Sequence, residues 1–185
     1  PTDYEHFVKK IIAIRKEATD RGFTDKSMIK KWFLPHYESL LPQGRTTVTE
    51  YGSGIPVLSL YLAAKGRLDK VFAIEKDPSV SRELEHIVRQ TRLPVEIVAE
   101  SIDDMTAFPD TDFGISMNTL YGPAPTVDES LSGAPYLTLP QVTASVLQKS
   151  THQKFAIFRY LNGNMQWLEK DQAEADMEKV FKDIR

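Results

Sequence analysis

Two glycines, Gly52 and Gly54, lie in the run Glu50-Tyr51-Gly52-Ser53-Gly54-Ile55-Pro56. Before them is a strand-like segment, Thr46-Thr47-Val48-Thr49, and after them an apolar helical segment from Val57 to Ala64. A second strand-like segment, Val71-Phe72-Ala73-Ile74, follows and ends in Glu75. A strand, a tight glycine turn, a helix and a strand closed by an acid form the opening unit of a parallel sheet. Such a unit places a ligand against the turn and suits a nucleoside cofactor.

The rest of the chain extends that pattern. Strands are expected at about 46–51, 70–75, 95–99, 113–117 and 155–160, with helices at about 56–65, 78–90 and 140–149. Short apolar strands alternating with helices predict an α/β fold. The expected architecture is Rossmann-like: a mostly parallel, twisted sheet with helices on both faces. The chain reads as a single domain, 1–185, in which 45–185 is the α/β core and 1–44 an N-terminal helical extension. In that extension Tyr4, Phe7, Val8, Ile11, Ile12 and Ile14 mark a helix over 3–20. Thr24 can cap a second helix, which Pro35 interrupts or restarts before Tyr37, Leu40 and Leu41. The stretch from Asn118 to Leu139 carries Pro123, Pro125 and Pro135 and reads as a long functional loop. After the fifth strand only about 25 residues remain, mostly a charged helix over 168–184. That leaves either a sheet shortened at its C-terminal end, with an edge open to a homo- or hetero-oligomeric partner, or a chain that continues.

Composition removes several alternatives. The net charge of −3 gives no global basic field for nucleic acid. With no cysteine there are no disulfides, thiolate metal sites or cysteine nucleophiles. His6, His36, His86 and His152 do not pair at metal-ligand spacing, so no metal is expected, and they read as surface or locally bonded groups. No apolar run is long enough to span a membrane and no signal peptide is seen, so a cytoplasmic protein is expected.

The turn has its own chemistry. Gly52 and Gly54 let the backbone turn and let a ligand approach without meeting a Cβ. Pro56 suits the first turn of a helix, whose free amides carry positive potential. Glu50 would repel a pyrophosphate and suits a ligand bearing an ammonium or sulfonium group. Glu75, 23 residues after Gly52, can accept both hydroxyl hydrogens of a ribose. Topology alone gathers Glu50, Glu75, Ser101 or Asp103, and Asn118 at the carboxyl ends of the strands.

Glu50-x-Gly52-x-Gly54 and Ala73-Ile74-Glu75-Lys76-Asp77 resemble the first two motifs of class I S-adenosylmethionine-dependent methyltransferases over about residues 46–160. The resemblance implies S-adenosylmethionine as cofactor and S-adenosylhomocysteine as product. It implies that Glu50 sits near the methionine moiety and that Gly52, Ser53 and Gly54 pack under it. Glu75, with Lys76 beside it, would hold the ribose. Ser101, Ile102 and Asp103 would flank the adenine. Asn118 would touch the cofactor, and Asn118 and Tyr121 would supply the catalytic groups. The sequence departs from the family at Ser101, which stands where an acid often ends strand three. It departs again at Asn118-Thr119-Leu120-Tyr121, which is not the Asn-Pro-Pro-Tyr of amino-methylating enzymes.

The acceptor stays open between RNA, a protein side chain and a small metabolite. Lys26, Lys30 and Lys31 beside Trp32 favour RNA. Two other readings stand beside methyl transfer: a cofactor-binding scaffold or regulatory subunit without activity, and an NAD-dependent oxidoreductase. The latter fingerprint wants a third glycine where this chain has Val57.

Overall fold

The central strand of this fold is mostly polar. β1, Thr46–Tyr51, reads Thr-Thr-Val-Thr-Glu-Tyr, and five of its six residues are buried. It tolerates burial because its polar side chains find partners in other segments, as a buried polar group must. Asp112 accepts hydrogen bonds from the Thr47 amide and hydroxyl, each at 2.8 Å, and these bonds hold its carboxyl below the usual range. Thr49 meets the Thr111 hydroxyl at 2.9 Å. Glu50 is bonded by Ser59, and Tyr51 by His152.

The computed structural model describes residues 3–15, 33–117, 120, 138–161 and 164–183. The helices are α1 (Asp3–Ile14), α2 (Leu34–Leu40), α3 (Val57–Ala64), α4 (Pro78–Thr91), α5 (Thr138–Lys149) and α6 (Lys170–Asp183). The further strands are β2 (Leu68–Ile74), β3 (Val95–Val98), β4 (Phe113–Met117), β5 (Lys154–Leu161) and β6 (Asn164–Glu169). None of the described helices is long and apolar enough to cross a membrane.

The six strands form one sheet in the order β3-β2-β1-β4-β5-β6. β1 to β5 run parallel, and β6 pairs antiparallel with β5. The strand order reverses at β1, which pairs with β2 on one side and β4 on the other. Alternation along the strands builds two cores. Val48, Val71, Ala73, Phe113 and Ile115 pack with α1, α2, α3 and α4 on one face. Tyr51, Ile74, Phe155 and Ile157 pack with Val146 and Leu147 of α5 and Ala173 of α6 on the other. Each large side chain so buried contributes about 1.5–3 kcal/mol.

α4 shows why its sequence is a helix with two defined ends. Asp77 caps it by accepting from the Ser79 amide at 2.8 Å, and Pro78 occupies the first turn. Arg92 closes it in the left-handed region at φ 55°. Arg15, just after α1, binds Glu83 of α4 through its Nε, and both side chains are buried. The N-terminal helix is thereby tied to the core.

The C-terminal end differs from the expectation of a helical remainder. The expected helix over 168–184 starts at Lys170, because β6 takes residues 164–169 and closes a hairpin on β5. Leu161 pairs with Asn164, and the two residues between them are Asn162 and Gly163. Asn-Gly is the dipeptide that a two-residue hairpin connection prefers, and Met165 and Trp167 alternate with polar positions after it.

Candidate cofactor site

The glycine turn leaves β1 at its carboxyl end and enters α3. Gly52 has φ 60° and Gly54 φ 53°, in the left-handed region where a side chain is strained, so glycine is needed at both. The turn is pinned to β2. The Ser53 amide donates to the Ile74 carbonyl at 2.9 Å, and the Gly54 amide donates to Glu75 Oε2 at 2.8 Å. The other carboxylate oxygen, Oε1, accepts from the Asp77 amide at 2.8 Å. Ser81 Oγ donates to the Glu75 carbonyl at 3.1 Å. Glu75 therefore clamps the turn to the start of α4.

Glu50 lies on the opposite side of β1 from Tyr51, opposite Ala73 of β2 and Ile115 of β4. It is 1% exposed, and Ser59 of α3 donates to its Oε2. Burial pushes the carboxyl up to about 7, against the opposing pull of the Ser59 hydrogen bond. Tyr37 of α2 lies against Ser59 at 2.9 Å.

The other face carries a second buried polar cluster. The Tyr51 hydroxyl meets His152 Nε2 at 2.6 Å. His152 Nδ1 faces the Thr111 carbonyl at 3.1 Å and the Thr111 hydroxyl at 3.0 Å. A carbonyl only accepts, so Nδ1 carries the proton and Nε2 accepts from Tyr51. Burial, before all else, pulls His152 below the ordinary histidine range, so the ring is neutral. Gly114 of β4 makes room for it. A Cβ there would lie 2.3 Å from His152 Cδ2 and 2.4 Å from Phe155 Cδ2.

The structure pins Gly52, Ser53 and Gly54 to the end of β2 at Ile74 and Glu75, and places Glu50 two residues before the turn, buried against Ser59. Lys76 and Asp103 are exposed, and Ser101 and Ile102 are half-buried beyond the end of β3. Ile102 packs against the core cluster that includes Tyr51 and Met105, on the side of the sheet away from Glu50. Asn118, Thr119 and Tyr121 lie outside the described residues, as do Lys26, Lys30, Lys31, Trp32 and Tyr136. Leu120, between them, is buried, and its amide donates to Ser116 Oγ at 3.2 Å. His36 is exposed. Sequence reasoning missed Tyr37, Ser59 and His152. The first two sit in ordinary helical patterns, and a histidine lacking a paired ligand carries no local sign of burial.

No protein-family model and no curated protein sequence matches the chain. Solved structures do. An S-adenosylmethionine-dependent methyltransferase from Clostridium acetobutylicum superimposes with a TM-score of 0.51 at 12% identity, over 84% of this chain and 56% of that one. A SAM-dependent methyltransferase from Aquifex aeolicus gives 0.50 at 14% identity, over 86% and 74%. TrmK from M. capricolum, in complex with S-adenosylhomocysteine, gives 0.50 at 12%, over 75% and 66%. The chain has the class I methyltransferase fold. This chain spans little more than half the length of the Clostridium protein. Within the class I fold the switch in strand order falls at β1, where Glu50 and the glycine turn sit, and ligands bind outside the strands at such a switch.

Proposed function

We propose that this protein transfers a methyl group from S-adenosylmethionine to an acceptor, with RNA favoured. The observation that carries the reading is the Gly54–Glu75 clamp at the switch point of a class I fold. Each Glu75 oxygen accepts one backbone N–H, and a carboxylate oxygen can accept two bonds, so among the described residues one position per oxygen remains. Two remaining acceptors match the two hydroxyls of a ribose. Gly52 and Gly54 offer bare backbone beside them. The nearby Glu50 carboxyl suits a cationic centre. The likeness to TrmK in complex with S-adenosylhomocysteine supports the same ligand here.

When bound, S-adenosylmethionine supplies a methyl group already activated on a sulfonium. The protein then has to hold donor and acceptor in line rather than generate a nucleophile. Glu75 and the glycine turn would hold the nucleoside, and Glu50 would face the charged end. Asn118 and Tyr121 are proposed to orient the acceptor, whose displaced proton leaves to solvent. The sequence cluster of Lys26, Lys30, Lys31 and Trp32 supports an RNA acceptor.

Calorimetry with S-adenosylmethionine tests the cofactor, and transfer of labelled methyl to RNA, protein and metabolite pools tests the acceptor. Micromolar binding with label in RNA is the expected result. Binding without transfer to any pool would favour a regulatory subunit, and a folded protein that binds no S-adenosylmethionine would overturn the reading.

A further inference from the structure

Tyr37, Ser59 and Glu50 come from three separate elements and meet as one buried hydrogen-bonded chain. Tyr37 and Ser59 are 0% exposed and Glu50 is 1%. The Ser59 hydroxyl has one proton, which it gives to Glu50, so the Tyr37 hydroxyl donates into Ser59. Burial raises the tyrosine, and the Glu50 charge raises it further, so Tyr37 stays a neutral donor. Its ring is held by stacking on Phe113 at 5.9 Å between centroids. The strand neighbours of Glu50, Ala73 and Ile115, carry no charge. Among the described residues, Tyr37 is a titratable group that reaches it, through Ser59.

Two donors in series favour the carboxylate, and burial favours the neutral acid. The two influences leave Glu50 balanced near neutral pH. A cation arriving beside such a group draws out its proton, and a neutral ligand does not. We propose that Tyr37 and Ser59 are positioning residues of the cofactor site, which act through Glu50 to set the negative charge that a cationic cofactor meets. The proposal rests on the methyl-donor reading above and deepens it. It makes the N-terminal helical segment a part of the cofactor site. The shared chemistry is a cationic centre, which S-adenosylmethionine carries both as a sulfonium and as an ammonium.

Calorimetry from about pH 6 to about pH 8 tests it, with S-adenosylmethionine, S-adenosylhomocysteine and 5′-methylthioadenosine as ligands. The last has neither cation. The Glu50→Gln variant supplies the ligands' own pH dependence. Relative to that variant, wild-type affinity for S-adenosylmethionine is expected to rise several-fold with pH, about tenfold for each unit that Glu50 shifts on binding. Methylthioadenosine is expected to show no such rise. S-adenosylhomocysteine following S-adenosylmethionine would locate the charge at the ammonium, and following methylthioadenosine would locate it at the sulfonium. Either supports the proposal. Ser59→Ala should move the rise to higher pH, and Tyr37→Phe should move it in the same direction by less. Both remove a single oxygen, and Tyr37→Phe keeps the stacking on Phe113. Parallel profiles for wild type and Glu50→Gln, or profiles unmoved by Ser59→Ala and Tyr37→Phe, would overturn the proposal while the cofactor reading stands. A folded wild type that binds none of the three ligands would overturn both.

Discussion

The Gly54 amide donates to the Glu75 carboxylate at 2.8 Å, so the residue proposed to hold the ribose also pins the glycine turn. Glu75→Ala would remove both tasks at once. Charge-assisted hydrogen bonds are worth about 1.5–3 kcal/mol each. S-adenosylmethionine affinity is expected to fall at least about tenfold. Glu75→Gln keeps an acceptor for Gly54 and should fall less. Calorimetry on both variants checks the order, and equal affinities for wild type and Glu75→Ala would remove Glu75 from the site.

Gly114→Ala tests the packing around His152. The added methyl would meet two rings well inside van der Waals contact. Overpacking of this kind costs about 1–3 kcal/mol. An unfolding free energy lowered by that amount in urea titration is expected, and an unchanged value would contradict the packing.

His152 and Glu50 predict opposite pH dependences. The folded-state histidine is depressed, so its contribution is present above the unfolded value of 6.5 and is lost as pH falls through the folded one. Glu50 is raised, so its contribution is present below the ordinary carboxylate value of 4.5 and is lost as pH rises through about 7. Between those limits the two partly cancel. His152→Gln should leave a protein that gains stability on mild acidification, and Glu50→Gln one that loses it more steeply than wild type. Urea titrations at several pH values separate them. Identical slopes in all three proteins would refute the assignment.

The Arg15–Glu83 pair links α1 to α4 with both side chains buried, at 8% and 5% exposure. Arg15→Met would leave Glu83 a buried charge without this cation, at a cost of about 3–5 kcal/mol. The double variant Arg15→Met/Glu83→Leu should recover much of that loss. A double-mutant cycle in urea measures the coupling, and additive losses would show that the pair does not interact.

Much of the fold could be read locally. Phe113–Met117 is a short apolar run between polar residues, and the strand occupies those five positions. The turn from Gly52 to Gly54 is equally legible, because left-handed backbone selects glycine. β6 was missed because the charged stretch behind it dominates the pattern, although Asn162-Gly163 marks the hairpin. The partners of the site lie further away in the chain. Tyr37 and Ser59 are 22 residues apart, and Tyr51 and His152 are 101 apart. Such pairs exist only once the sheet has formed, and no periodicity announces them.

The polar central strand has a consequence for how the chain finds its topology. Thr47, Thr49, Glu50 and Tyr51 need Asp112, Thr111, Ser59 and His152 respectively. A Val/Ile-rich strand would pair passably in several registers. This one, shifted by a residue, would bury each group against the wrong face, at about 1–3 kcal/mol apiece. β1 thus acts as a proofreader of the sheet's register, because a mispaired arrangement is penalised at its centre.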